Sequence, residues 1–207
     1  MSDVIRDSLW QLGGVKKMLQ RYFMENTDIT DLVMPTLDDE AFSFKQNWLG
    51  GQYTTDGGRT ATLQGYCMTT PFIDGTVTDM RTFIGMETFG LDFSPSKRIQ
   101  KIGLQIYIYT YKSTVNLTTE EEKQYTELGY AGNRLDVLVQ AVNRAMYHDD
   151  VKMRFGIGEV SFDDVPRPIG THIPNFNYYG RVISYVIHDF YITNEIRNKY
   201  LRGGDIY

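Results

Sequence analysis

The chain has 207 residues, 42% of them hydrophobic and 23% charged, which is ordinary usage for a globular protein with its own core. A chain of this length buries roughly 70% of its surface on folding, so it needs neither disulfides nor metal ions to be stable. The formal net charge of −5 disfavours a dedicated nucleic-acid binder, which would carry a basic patch. The one cysteine, Cys67, excludes an internal disulfide, and no signal peptide or membrane span is expected.

The first segment, residues 1–26, is predicted to be helical in two pieces. Ile5, Leu9 and Leu12 recur at helical spacing, and a second apolar stripe runs from Val15 to Phe23. Gly13-Gly14 lies between the two stripes. Because each glycine in a helix costs about 1 kcal/mol relative to alanine, we expect a kink or break there.

Residues 27–79 are predicted to form a long, irregular insertion with short strands and no helix. Pro35, Gly50-Gly51 and Gly57-Gly58 interrupt the segment, while Phe42, Trp48 and other aromatic residues provide anchors. Ordered loops of this length are usually functional or form interfaces.

The pattern changes to strands and helices from about residue 80. A first strand is predicted at 80–89, and a second follows at 102–111, where Ile and Leu alternate with Gln and Tyr at period two. The tyrosine side of that strand should be half covered. Thr119–Leu128 is predicted to be an acidic surface helix, and Asn133 is expected to cap a strong helix that extends to about His148.

Two further strands are predicted at 155–162 and 179–191, followed by a polar tail at 193–207. The fold class is therefore α+β, with a mainly antiparallel sheet of four strands or slightly more. Helices should pack on one face, and the long insertion should precede the sheet. We expect a single domain, 1–207, with its sheet–helix–sheet core at 80–192.

No catalytic, cofactor or metal-binding set can be assembled from the sequence. The three histidines, His148, His172 and His188, have no metal-ligand spacing with one another or with Cys67. The Gly-rich stretch 50–60 lacks the lysine and the following helix of a phosphate loop. We therefore expect no enzyme activity and no cofactor. A nucleophilic pair of Cys67 with a histidine stays open, since such partners meet only in space.

The order of elements resembles the small α+β proteins at the head–tail junction of tailed bacteriophages, above all the tail terminator family. The resemblance covers about residues 78–192. It rests on these segments: Thr82-Phe83-Ile84, Ile102–Tyr111 with Lys112-Ser113, the helix Asn133–Met146, Phe155-Gly156-Ile157-Gly158-Glu159-Val160, Tyr178-Tyr179-Gly180-Arg181-Val182 and His188-Asp189-Phe190.

This resemblance implies a virion neck protein that is assembled in the host cytoplasm. Its members form a ring, usually of six subunits, that caps the tail tube and meets the head connector, with DNA passing through the lumen. Aromatic and arginine side chains would anchor the contacts, because such residues dominate protein interfaces. The candidates are Trp48, Tyr53, Arg59, Tyr178, Tyr179 and Arg181. Ordinary core packing is the alternative for each.

Three alternatives remain open at this level. The segment 27–79 is longer than in typical tail terminators, which leaves another neck position, such as head closure or tail completion. A small enzyme using Cys67 or a histidine belongs to a different class. A monomeric adaptor that adds a partner strand to an open sheet edge is the third.

Overall fold

The computed structural model describes residues 3–34, 43–54, 58, 60–71, 80–93, 99–149, 151, 157, 159–162, 165, 168–172 and 177–188. Within them it contains five α-helices, one short 3-10 helix and eight strands. The predicted tail at 193–207 and the start of the predicted strand at 155 lie outside these residues.

Six strands form the main sheet, and two others form a separate hairpin. The hairpin consists of β1 (Gly51–Thr54) and β2 (Thr60–Leu63). The main sheet contains β3 (Cys67–Met68), β4 (Thr82–Phe93), β5 (Ile99–Tyr111), β6 (Val160–Ser161), β7 (Ile169–Thr171) and β8 (Tyr178–His188). Its strand order is β3-β4-β5-β8-β6, and β7 also pairs with β8.

The predicted α+β class is confirmed, but the finer prediction of a mainly antiparallel sheet of four strands or slightly more is not confirmed. The sheet has six strands and is mixed, because β3 pairs with β4 in parallel while the other pairs are antiparallel. The additional strands β3 and β7 have two and three residues. A period-two pattern cannot be recognised over so few residues.

The helices are α1 (Asp3–Met24), α2 (Thr27–Val33), α3 (Phe44–Leu49), α4 (Thr119–Glu127) and α5 (Arg134–Met146). The apolar sides of α1, α2 and α5 share one core with the isoleucine and leucine side of the sheet. Ile102, Leu104, Ile106 and Ile108 of β5 are all buried there. In the described residues these helices therefore pack on one face of the sheet, as predicted.

Of the kink or break predicted at Gly13-Gly14, the break is wrong, since α1 is continuous from Asp3 to Met24. The hydroxyl of Thr88 donates a 2.8 Å hydrogen bond to the carbonyl of Leu12. Val15, Met18 and the rest of the following stripe are buried against the sheet. Burial of an apolar side chain contributes about 1.5–3 kcal/mol, which outweighs the helix cost of two glycines.

The predicted absence of helices in the insertion 27–79 is also wrong. Helix α2 buries Ile29, Leu32 and Val33, so tertiary packing stabilises a helix of only seven residues. Helix α3 has a capping box, in which the Ser43 side chain accepts from the Gln46 amide and the Gln46 side chain accepts from the Ser43 amide. The predicted short strands of this segment are present as β1, β2 and β3.

Candidate interaction surfaces

The sheet face opposite the helices carries a second, aromatic cluster, called here the aromatic face. Its buried members are Phe83, Tyr109 and Tyr178, and Met68, Tyr107 and Tyr111 lie around them. Phe83 contacts Tyr109 and Tyr178, with ring centroids 5.0 and 5.6 Å apart. The half-covered tyrosine side that was predicted for 102–111 is therefore confirmed.

Two polar features border the aromatic face. The Tyr109 hydroxyl and Nδ1 of His172 share a hydrogen bond of 3.0 Å. The Tyr107 hydroxyl donates to Oε1 of Gln105 at 2.7 Å and lies 3.3 Å from Oε2 of Glu87. Burial, followed by the nearby Glu87 carboxylate, raises the pKa of Tyr107, and burial raises the pKa of Tyr109. Both phenols therefore stay protonated at neutral pH and act as hydrogen-bonding groups.

Exposed apolar side chains lie at both edges of the sheet. The first edge is formed by β3 and β4, and Phe89 and Leu91 of β4 are 40% and 46% exposed there. The second edge is formed by β6 and β7 on the outer side of β8, and Ile169 of β7 is 48% exposed. These two edges are therefore on opposite sides of the sheet and are formed by different strands, so each is a separate candidate contact surface.

An open pocket of about 280 Å³ lies at the second edge, where the end of α5 meets β6. Met146, Val151 and Val160 supply apolar lining, and Asp149 and Glu159 supply carboxylates. Both carboxylate residues are exposed. His148 also lines the pocket, so its lining combines apolar side chains with two carboxylates and an imidazole.

The six predicted interface residues fall in different environments. Trp48 is fully buried, and its indole nitrogen donates to the Gln20 carbonyl at 2.8 Å, so it packs in the core of the protomer. Tyr178 is buried in the aromatic face. Tyr53 is half-buried in the β1–β2 hairpin, where its hydroxyl donates to the Gly50 carbonyl at 2.9 Å. Arg59 lies outside the described residues.

Tyr179 and Arg181 are the two candidates with substantial exposed surface. Tyr179 is 43% exposed, and the Lys112 ammonium lies 5.6 Å from its ring centroid. The Arg181 guanidinium lies 3.5 Å from Asp136 and donates to the Thr171 hydroxyl at 3.3 Å. Arg181 therefore links β8 to β7 and to α5, and its interface role stays a prediction.

Cys67 does not have the environment of a reactive thiol. It is fully buried in β3, and burial raises the pKa of its thiol. A thiolate, which is the nucleophilic form, is therefore not populated near neutral pH.

The described side chains contain one serine–histidine pair at hydrogen-bond distance, Ser161 and His188, with 3.1 Å between Oγ and Nε2. A serine nucleophile needs the histidine to be oriented by a third group. Among the residues whose structure is described, no carboxylate is hydrogen-bonded to the His188 ring. Within this part of the chain the pair is a hydrogen bond that links β6 to β8.

The described residues contain neither a metal-binding cluster nor a membrane-spanning helix. No group of three or more histidine, cysteine, aspartate or glutamate side chains is arranged there to hold a metal ion. No helix in the same part of the chain is long and apolar enough to cross a membrane.

Comparison with known proteins assigns the chain to a family. The model of the YomW family matches residues 26–187, which is more than three quarters of the chain. The chain therefore belongs to the YomW family. No curated protein and no solved structure matches it.

Proposed function

We propose that this YomW-family chain is a structural protein of the neck of a tailed bacteriophage. In this proposal a ring of subunits caps the tail tube, joins it to the head connector and lets DNA pass through its lumen. The observation that carries the proposal is the pair of opposite sheet edges with exposed apolar side chains.

Among the described residues, most of β4 has no partner strand at the first edge. Within the described residues β3 pairs only with Ile84 and Gly85, while β4 continues to Phe93. Phe89 and Leu91 lie on this open part. An exposed strand edge with apolar side chains is a site for pairing or aggregation unless another chain covers it. We infer that another subunit covers it.

The second edge differs from the first, and this difference sets the kind of assembly. When two different surfaces of one chain meet, the contact is head-to-tail, and it generates a closed ring if the rotation closes. The strand order puts Ile169 of β7 on the side of the sheet away from β4. Opposite edges of this kind support a ring in which each subunit contacts two neighbours.

The charge of the chain is compatible with a DNA conduit. Basic side chains along the lumen would bind the phosphates and slow the passage of DNA. The net charge of −5 gives the subunit little general affinity for nucleic acid. We therefore propose that DNA passes transiently through the lumen, without sequence-specific or tight binding.

The ring is tested by the mass of the purified protein in solution and by negative-stain images. Six copies of the 23.9 kDa chain give about 143 kDa. Leu91→Glu and Ile169→Glu should each lower the mass toward that of the monomer, because a carboxylate would have to lose its water in an apolar contact. Leu128→Glu is the matched control, since Leu128 is 44% exposed and directly follows α4, a helix that forms neither edge of the sheet. Assembly of all three variants like the wild type would refute contacts through the edges.

The neck role needs a separate experiment. Purified tail-tube subunits should polymerise to a shorter, limited length when the wild-type ring is present, and electron microscopy measures the lengths. Tubes of unchanged length would exclude capping. Binding to head-connector rings without capping would favour head closure or tail completion, the other neck positions that the long insertion allows.

An adaptor is the second candidate function, and the open part of β4 is the observation that favours it. Such an edge can accept an extended peptide as an additional strand. The adaptor would be monomeric, so the same mass measurement separates the two proposals. A monomer that binds extended peptides at β4 would favour the adaptor.

A further inference from the structure

The β1–β2 hairpin is the element that the ring proposal does not yet use. It forms a two-stranded sheet that is separate from the main sheet. Within the described residues, neither hydrophobic cluster includes a side chain of the hairpin. A two-stranded hairpin without such packing is at best marginally stable in water. Its strands therefore need contacts beyond those that the described part of their own chain supplies.

The base of the hairpin is nevertheless tightly built. The Gly50 amide donates to the Gln46 carbonyl at 2.8 Å, and the Tyr66 amide donates to the Asn47 carbonyl at 3.1 Å. The chain crosses itself there, since a β-carbon on Gly50 would collide with the amide nitrogen of Gly65. These contacts fix the hairpin between the end of α3 and the start of β3, at the first edge of the sheet.

Strand β2 has the character of an unprotected sheet edge. It pairs with β1, and among the described strands it has no partner on its other side. Neither strand of the hairpin contains a charged residue or a proline, which are the residues that protect exposed edges from pairing. Leu63 ends β2 and is half-buried. The opposite face of the hairpin carries four exposed polar side chains, those of Gln52, Thr54, Thr60 and Thr62.

Strand β7 offers a matching edge on the other side of the main sheet. It pairs with β8, and no described strand lies on its outer side. It also contains no charged residue or proline. Ile169 of β7 is 48% exposed, although it is paired with the buried Ile183. The open part of β4 is a poorer match for β2, because Glu87, Asp92 and a β-bulge lie there.

A protomer cannot join its own β2 to its own β7. Cys67 of β3 follows Leu63 by four positions, and an extended chain of that length spans at most about 14 Å. A strand on the outer side of β7 would be five strand spacings from β3, which is about 24 Å at about 4.8 Å each. Leu63 therefore cannot lie beside Ile169 of the same chain, and a second copy has to supply the pair.

We propose that β2 of one subunit pairs with β7 of the next, so that the hairpin extends the neighbouring sheet and Leu63 lies beside Ile169. Main-chain hydrogen bonds supply the affinity when a strand is added to a sheet edge. The adjacent apolar side chains stabilise the pair and set its register. The contact joins the first edge of one subunit to the second edge of the next. It rests on the proposed ring and identifies the backbone segments that hold neighbouring subunits together.

Cysteine cross-linking tests the pairing. Directly opposed residues of neighbouring strands have β-carbons about 4.5–5.5 Å apart, so a small adjustment allows a disulfide. Leu63→Cys and Ile169→Cys proteins, mixed at a concentration where the wild type assembles and treated with oxidised glutathione, should give a two-chain product on a non-reducing gel. Each variant alone should give no product, because a head-to-tail contact places position 63 beside position 169 and not beside another copy of itself. The native Cys67 is buried and takes no part.

Matched variants separate pairing from chance collision and from misfolding. Leu128→Cys mixed with Leu63→Cys should give no product, since Leu128 is exposed but follows α4, which forms neither edge. Leu63→Lys and Ile169→Lys should each raise the protein concentration of half assembly by about tenfold, because an edge lysine opposes strand pairing. Thermal unfolding of the monomers should change little, since neither side chain belongs to a hydrophobic cluster.

The outcomes distinguish this contact from the neck function. A wild-type ring whose mixed cysteine variants stay unlinked would overturn the pairing and leave a ring held in another way. A product from Leu63→Cys alone would overturn it in favour of two hairpins joined symmetrically. A wild-type chain that stays monomeric at its highest soluble concentration would overturn it as well. Linkage of position 63 to position 169, combined with tail tubes of unchanged length, would support the pairing and refute the neck function.

Discussion

Gly180 is the residue at which the aromatic face leaves no room for a side chain. A β-carbon at this position would collide with the His172 carbonyl oxygen and would lie 2.8 Å from Cδ1 of Tyr109. The His172 amide also donates to the Gly180 carbonyl at 3.1 Å, so the two backbone segments are bonded where they meet. Any side chain would have to separate them or displace the Tyr109 ring.

Gly180→Ala should therefore lower the free energy of unfolding by about 1–3 kcal/mol, as overpacking of a dense interior does. Urea unfolding followed by fluorescence measures the change. Gly13→Ala is the matched control, because Gly13 is exposed in α1 and no atom lies within 4 Å of its β-carbon site. That control should gain about 0.5–1 kcal/mol from helix propensity. A Gly180→Ala protein as stable as the wild type would contradict the described approach of β8 to His172.

At the scale of elements, Arg134 at the start of α5 connects this helix to α2 and α4. The buried Arg134 side chain donates to the carbonyls of Thr114 and Leu32 at 2.9 and 3.3 Å. Its remaining nitrogen lies 2.7 Å from both carboxylate oxygens of Glu121. Glu121 also accepts from the Thr118 amide in the capping box of α4. Helices α2, α4 and α5 thus depend on one charged network.

This network gives a pH dependence of known sign. Burial alone would raise the pKa of Glu121, but the Thr118 amide and the Arg134 guanidinium hold it below its ordinary value of 4.5. A carboxyl with a lowered pKa in the folded state contributes stability that is present above the ordinary value and is lost as the pH falls through the folded value. Glu121→Gln should therefore flatten the loss of stability below pH 4.5, as measured by urea unfolding at each pH.

Asp31 provides a control of opposite sign. Burial, and then the nearby Asp28 carboxylate, raise the pKa of Asp31. The ionised Asp31 carboxylate therefore destabilises the folded state, and this destabilisation disappears as the pH falls and the carboxylate is protonated. Asp31→Asn should raise the free energy of unfolding at neutral pH and make its decrease at acid pH steeper. Equal pH profiles for both variants would mean that neither carboxyl contributes through the described contacts.

The elements that could be predicted are those whose signals are local. Asn133 and Asp136 begin α5 as predicted, with the Asn133 side chain accepting from the Asp136 amide at 3.0 Å. The alternation in β5 is long enough to assign both faces. The Ser43–Gln46 pair carried the spacing of a capping box, so α3 could have been found from the sequence. Nothing local indicated β3, which exists because β4 lies beside it.

The candidate surfaces were less predictable, because an aromatic residue suits a core as well as an interface. Trp48 and Tyr178 were predicted as contact residues, but both are buried within the protomer. The exposed edge residues Leu91 and Ile169 have no distinguishing sequence signal, since their exposure depends on which strands lie at the edges. The pocket likewise combines α5 with β6 and cannot be seen in either segment alone.

At the scale of the whole molecule, two effects oppose each other on assembly. Subunits with a net charge of −5 repel one another, whereas burial of exposed apolar side chains at the proposed edge contacts favours assembly. The net charge is spread over a chain with a radius of gyration of about 17 Å. The Debye length is already about 10 Å at 0.1 M salt, so most of the general repulsion is screened at that concentration. Further salt therefore acts mainly through its effect on the burial of apolar side chains.

Raising sodium chloride from 0.1 to 1 M should therefore change assembly of the wild type little, although the Debye length falls to about 3 Å. Ammonium sulfate at equal ionic strength should strengthen assembly, because sulfate favours burial of apolar side chains such as Leu91 and Ile169. The readout is the protein concentration at which half of the chains are assembled. Leu91→Glu should lose most of the difference between the two salts. A wild-type ring that responds equally to both salts would show that apolar edge burial does not drive its assembly.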